Sequence, residues 1–417
     1  MTLTINADRL RADFDALSAF GAVDPGSEAP GVNRPSLSPA HLEARRWFRA
    51  RAAAAGLETR VDAAANHSAV LRSPRPAHPE RTLLLGSHLD SVPNGGRFDG
   101  ALGVLAALEA LRTVQEAGLA LPVHLEAIDF TDEEGTLVGE LGSQALAGTL
   151  HPEALLRPRG GRAALEAGLA RAGVYESALF DARRDHATLA GYLELHIEQG
   201  PRLAQSAIAI GVVTTIVGIT SYRVTFTGAA NHAGTTPMDA RQDAGLGAAA
   251  FTLTARELVV RDFPGCAVNV GQMRFEPGAF NIVPGRAELA LEFRAPDAAR
   301  MAELEDALLS LAGVVARQHG LELELEPLGG CVPAPMSPAA QAAIAAAADS
   351  LALTHMPLVS GAGHDGQSLA PFIPCGMVFV PSRGGISHSP LEYTAWDDCV
   401  NGANVLLRAA LILAEAA

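Results

Sequence analysis

The chain has 417 residues, enough for two cores of ordinary size, and with 48% hydrophobic but only 5% aromatic residues its interior is built from Ala, Leu and Val. The net charge of −15 argues against nucleic acid or an anionic membrane as partner. All 31 basic residues are arginine, and the absence of lysine excludes a Walker-type phosphate loop and a pyridoxal phosphate aldimine.

The N-terminal MTLTINADRL has no basic stretch followed by an apolar one, so no secretory leader is expected. No apolar run is read as membrane-spanning. Cys266, Cys331, Cys375 and Cys399 are widely spaced and read as small buried hydrophobes in a reducing compartment, which predicts a cytoplasmic protein. Up to about residue 211, helices alternate with apolar strands: TLLLGS is a strand, 101–117 a helix, VHLEAIDF a strand and, after an Ala-rich helical stretch, GYLELHIE another. This alternation predicts an α/β domain with helices on a mainly parallel sheet. From residue 212 the pattern becomes strand, helix, strand, strand, helix, strand, ending at LELELEPL. That order is ferredoxin-like and predicts a domain of residues 212–328 inserted into the first. Residues 329–417 return to α/β character, after a Pro-rich linker CVPAPMSP.

Histidines and carboxylates gather where the strands of the outer domain end. GSHLDSVPNGGRFDG holds His88, Asp90 and Asp99; DFTDEEG holds Asp132, Glu133 and Glu134; LELHIEQG holds His196, Glu198 and Gln199; GGISHSPLE holds His388 and Glu392. Ligands of open α/β sheets bind at the carboxyl ends of the strands. Imidazole and carboxylate suit Zn²⁺ and similar first-row dications, and these donors suffice for two ions if one carboxylate bridges. One of Glu133 and Glu134 can then bind metal while the other acts as general base. Any one of these clusters is ordinarily a solvated turn; the set together points to a metal site.

These blocks, from GSHLDSVPNGGRFDG to SHSPLEYT, resemble those of the dinuclear-zinc peptidase superfamily. More narrowly, they are similar to N-carbamoyl-L-amino acid hydrolases, β-ureidopropionases and allantoate amidohydrolases, where His followed by Gln199 in LELHIEQG replaces the carboxylate usual in the peptidase branch. The resemblance implies two divalent ions (Zn, or Mn, Co or Ni), one on His88, Asp99 and His196, the other on Asp99, Glu134 and His388. It implies Glu133 as general base and Asp90 as the residue orienting His88. Gln199, His232 in NHAG, Asn281 in FEPGAFNIVPG and Arg294 in LEFRAPD would meet the substrate carboxylate or oxyanion, with His364, Asp365 and Gln367 shaping the pocket wall. It further implies a cis bond after Asp99, and a homodimer through the inserted lid domain in which His232 acts on the neighbour's site. The expected reaction is hydrolysis of a linear ureido C–N bond of an N-carbamoyl-L-amino acid, releasing ammonia and carbon dioxide. Allantoate amidohydrolase and, further off, N-acyl amino acid deacylase are the alternatives. A non-catalytic binding protein on the same fold would lack Glu133 or a ligand, and this chain keeps them all.

Overall fold

The computed structural model describes residues 3–24, 26 and 30–417; Met1 and Thr2, which open the N-terminal stretch read above, lie outside them. The chain forms two compact units, Met1–Thr214 with Met336–Ala417, and Thr215–Pro335.

In the first unit, α1 (Ala7–Ser18) and α2 (Pro39–Ala54) start at caps the sequence supplies: the Asn6 side chain accepts from Arg9 N–H, and Ser38 accepts from His41 N–H with Pro39 in the first turn. Strands β1 (Glu58–Val61), β2 (His67–Leu71) and β3 (Thr82–His88) follow, then α3 (Ala101–Glu116), β4 (His124–Phe130), β5 (Leu189–Ile197) and β6 (Ile210–Ile216). The chain then builds the second unit from β7 (Gly218–Thr227), the short β8 (Asn231–His232), α4 (Ala244–Asp262), β9 (Ala267–Glu276), the short β10 (Ile282–Val283), β11 (Arg286–Ala295), α5 (Ala298–Gln318) and β12 (Glu322–Cys331). It returns through α6 (Pro338–Ser350), β13 (His355–Ser360), β14 (Cys375–Val380) and α7 (Trp396–Ala416).

The sheet of the first unit runs β13–β6–β14–β5–β3–β4–β2–β1. Its central strands β14, β5, β3 and β4 are parallel, and β6, β2 and β1 join antiparallel at the flanks. β4 is buried along its whole length and β3 along nearly all of it, as in strands covered on both faces, and β4 buries Glu126 and Asp129 among its apolar residues. α3 is buried from Ala101 to Val114. α7 has the length and composition of a membrane-spanning helix, with a mean hydropathy of 1.3, which the reading of the sequence passed over. It packs on α3, α6, β5 and β14 as a core helix.

The second unit is a four-stranded antiparallel sheet in the order β9–β11–β7–β12. Both helices pack on it through Phe226, Phe251, Leu289, Phe293, Leu304 and Leu308. The chain order βαββαβ with this strand order is the ferredoxin-like arrangement. The boundaries differ from 212–328. A bulge between Pro327 and Gly329 lets β12 keep pairing with β7 as far as Cys331, so the unit closes at Pro335.

Beneath the parallel strand ends lies a fully buried ion pair. Arg45 Nε donates to Asp129 Oδ2 at 2.7 Å, with neither side chain exposed. The guanidinium also holds the carbonyls of Ala65 and Phe130 and the Thr131 hydroxyl, while Asp129 Oδ1 accepts from Leu89 N–H. Removing one member of such a pair leaves an uncompensated charge, so Arg45→Met is expected to lower stability by about 3–5 kcal/mol. Denaturant unfolding measures this, and a loss below about 1 kcal/mol would show that the pair is dispensable.

Candidate functional site

Because β3, β4, β5 and β14 are parallel, their carboxyl ends share one edge. His88 is the last residue of β3, and Glu133 and Glu134 follow β4 by a few residues. His196 is near the end of β5, and the loop after β14 carries His388. Asp99 lies just ahead of α3 and is the common partner. Its Oδ1 is 3.0 Å from His196 Nε2 and 3.5 Å from His88 Nε2; its Oδ2 is 3.5 Å from His388 Nε2. Glu134 Oε2 is 3.4 Å from His388 Nε2, and Glu133 Oε2 is 3.3 Å from His88 Nε2. Two groups therefore share Asp99: His88, Asp99 and His196, all buried, and Asp99, Glu134 and His388, of which His388 is exposed.

The donor set fits metal ions on three observations. First, His88 Nδ1 faces the Asp90 carbonyl at 3.0 Å and His196 Nδ1 faces the Ile197 carbonyl at 2.9 Å, so each ring turns Nε2 toward Asp99 Oδ1. A lone pair facing a carboxylate oxygen is repulsive unless a proton or another cation lies between them. Second, atoms about 2.0–2.1 Å from one tetrahedral ion are about 3.3 Å apart, close to the separations above. Third, the carboxylates repel one another. Burial, then Glu134, Asp365 and Asp99, pushes Glu133 well above the carboxylate range against the opposing pull of His88; burial, then Asp99, does the same to Glu134. Asp99 is held well below its range despite its burial, by His196 and His88. Burial disfavours the charged His88, yet Glu133, Asp99 and Asp90 raise it well above its usual value. A cluster that must otherwise take up protons is one that divalent cations neutralise.

The sequence profile of the peptidase family M20/M25/M40 matches residues 84–412, a span that holds every donor above. The chain belongs to that family. It is 39% identical to the N-carbamoyl-L-amino-acid amidohydrolase of Paenarthrobacter aurescens, over 96% of this chain and 97% of that one. It is 33% identical to the allantoate amidohydrolase of Escherichia coli K12, over 94% of each. The solved structure of an amidase of the hydantoinase/carbamoylase family from Burkholderia multivorans superimposes with a TM-score of 0.89 at 35% identity, covering 99% of each chain. This M20/M25/M40 chain is thus a hydrolase of C–N bonds.

Several details depart from the reading of the sequence. Asp90 touches His88 through its backbone carbonyl; its carboxylate stands 3.7 Å off and is buried without a hydrogen-bond partner. Gln199 donates its amide to Asp99 Oδ2 at 2.7 Å, so it braces the shared carboxylate. The Asp99–Gly100 peptide is not cis. The turn into α3 is made instead by Gly100, at φ 62° and ψ −49°. A third group, Glu194, His196 and His364, was not foreseen. Its members are already engaged: Ser87 and Tyr192 hydroxyls bind Glu194, and His364 pairs with Ser360 while its ring stands edge-on to His196 at 4.5 Å.

Asp132 belongs to neither donor group; its carboxylate accepts from the N–H groups of Leu137, Val138 and Gly139 and thereby folds the loop that begins with Glu133 and Glu134. Asp132, Gln199 and His388 all have positive φ, a conformation non-glycine residues adopt at a cost that concentrates at functional sites.

In the second unit, His232 on β8 pairs with Ile282 of β10, and Ala233 N–H donates to the Asn281 carbonyl, so His232 and Asn281 lie together and exposed. Arg294 lies at the far end of β11, its guanidinium on Glu292. The run from Arg286 to Arg294 spans about 27 Å.

At Gly100 an added Cβ would lie 2.4 Å from the His88 ring. Gly100→Ala would also force a left-handed alanine, which costs about 1–2 kcal/mol before any clash. We expect at least that loss of stability in denaturant unfolding, with His88 displaced in the variant's crystal structure; an unchanged His88 would contradict it.

Proposed function

We propose that the chain hydrolyses N-carbamoyl-L-amino acids, with His88, Asp99 and His196 as the residues that would hold one divalent ion and Asp99, Glu134 and His388 those that would hold a second. The observation that carries this reading is that Asp99 offers one oxygen to each of two donor groups, with Glu133 adjacent. Zn²⁺, Mn²⁺, Co²⁺ or Ni²⁺ held there would polarise the ureido carbonyl and acidify water. Glu133, not shared with His388, takes the proton of the attacking water as its oxygen bonds to the carbamoyl carbon. It then delivers that proton to the terminal nitrogen as the C–N bond breaks. Ammonia leaves, and the carbamate that remains loses carbon dioxide to give the free amino acid. Hydrolysis of allantoate is the second reading, favoured by the likeness to the Escherichia coli enzyme. A cytoplasmic location belongs to the same proposal, supported by four widely spaced cysteines with no CxxC pair.

Ammonia release from N-carbamoyl-L-amino acids, N-carbamoyl-β-alanine and allantoate, each with added Zn²⁺, Mn²⁺, Co²⁺ or Ni²⁺, tests the reading. The highest kcat/KM is expected for an N-carbamoyl-L-amino acid; turnover of allantoate alone overturns it. Glu133→Gln should keep its metal and lose about 10²–10⁴-fold in kcat. Glu134→Gln should lose metal. The opposite pattern reverses the two assignments.

His232, Asn281 and Arg294 are proposed to receive the substrate carboxylate and oxyanion, the guanidinium as a planar fork. A small ureido acid cannot reach both ends of β11 in one copy, so these residues serve it only if two copies contribute. That supports a homodimer through the second unit, as does the exposed row Leu246, Leu253 and Val260 on α4. Glu133→Ala and His232→Ala should each be nearly inactive alone and regain activity when mixed under conditions of subunit exchange. Exchange verified by mass without recovery would rule out action in trans.

A further inference from the structure

Glu392 is buried, lies four residues after His388, and has no place in either donor group. Its Oε1 accepts the backbone N–H of Phe98 at 2.8 Å and of Asp99 at 3.1 Å. Its Oε2 receives the Ser387 hydroxyl at 2.8 Å, and the same hydroxyl is 3.0 Å from Asp99 Oδ2. An added Cβ on Gly96 would fall 2.1 Å from the Glu392 carboxylate, so the loop before Asp99 is shaped around that group. Glu392 therefore ties the segment that carries Asp99 to the segment that carries His388, two donors 289 residues apart in the chain.

We propose that Glu392 is a positioning residue: by accepting two backbone N–H groups it fixes the Asp99 carboxylate between the two donor groups and so sets metal affinity. This rests on the metal-dependent reading above. The need is for an acceptor at Oε1, not for negative charge. A glutamine there keeps the Oε1 acceptor. Its amide N–H can also donate to Ser387, leaving the single Ser387 proton for Asp99. Residues that orient ligands in this way are worth about 10–100-fold in metal affinity.

The test measures Zn²⁺ affinity of the full chain by competition with a chromophoric chelator, without substrate, alongside kcat/KM and thermal unfolding of the metal-free protein. Glu392→Ala should bind Zn²⁺ about 10–100-fold more weakly. Glu392→Gln should stay within about threefold of the parent, and Gly96→Ala, which keeps Glu392 but crowds it, should resemble Glu392→Ala. If Glu392→Ala fails to fold, the other two variants decide. Parent-like Zn²⁺ affinity in Glu392→Ala or Gly96→Ala overturns the proposal, and so does a Glu392→Gln as weak as Glu392→Ala. A parent chain that binds no Zn²⁺, Mn²⁺, Co²⁺ or Ni²⁺ would instead sink the metal-dependent reading, and this inference with it.

Discussion

The Asp99 carboxylate is the constraint on which the rest of the site depends. It is 8% exposed, and its two oxygens face three imidazoles from three separate segments. A buried carboxylate with so many partners can adopt only one orientation, and the neighbouring chain is arranged to permit it. Gly100 lacks the Cβ that would strike His88, and Gly96 lacks the Cβ that would strike Glu392. Gln199 and Ser387 occupy the Oδ2 side.

Holding Glu133, Glu134 and Asp99 together is costly. At an effective dielectric of 20, two charges 4 Å apart repel by about 4 kcal/mol. Backbone hydrogen bonds from outside the donor set offset part of that. Asp132 gathers the N–H groups of its own loop, and Asp129 takes Leu89 N–H while Arg45 neutralises it. The left-handed Asp132, Gln199 and His388 are the local strain that this scaffold holds in place.

The second unit shows a different economy. Its helices and sheet form a self-sufficient core, and its polar candidates sit at the ends of strands, where side chains escape burial. His232 with Asn281 stands at one end of β11 and Arg294 at the other, so the polar candidates of this unit form two separate groups.

The element order, the insertion, the βαββαβ pattern and the donor clusters were legible in the amino-acid sequence. Each depends on local periodicity or on residue type at a strand end. Strands of one direction must end at one edge, which marked out the clusters at 88–99, 132–134, 196–199 and 388–392; the choice of His88, Asp99, Glu134, His196 and His388 among them came from the likeness to known families. Glu392 was visible in SHSPLE, but its function was not: its partners are the backbone N–H groups of Phe98 and Asp99, 294 and 293 residues away. A backbone donor leaves no mark in the sequence. For the same reason only the tertiary structure decided that Asp90 serves His88 through a carbonyl, that Gln199 braces Asp99, and that Arg45 and Asp129 lock two loops from below. Residue type is written in the chain, whereas the angle at which two distant backbones meet is set by how the sheet and helices pack.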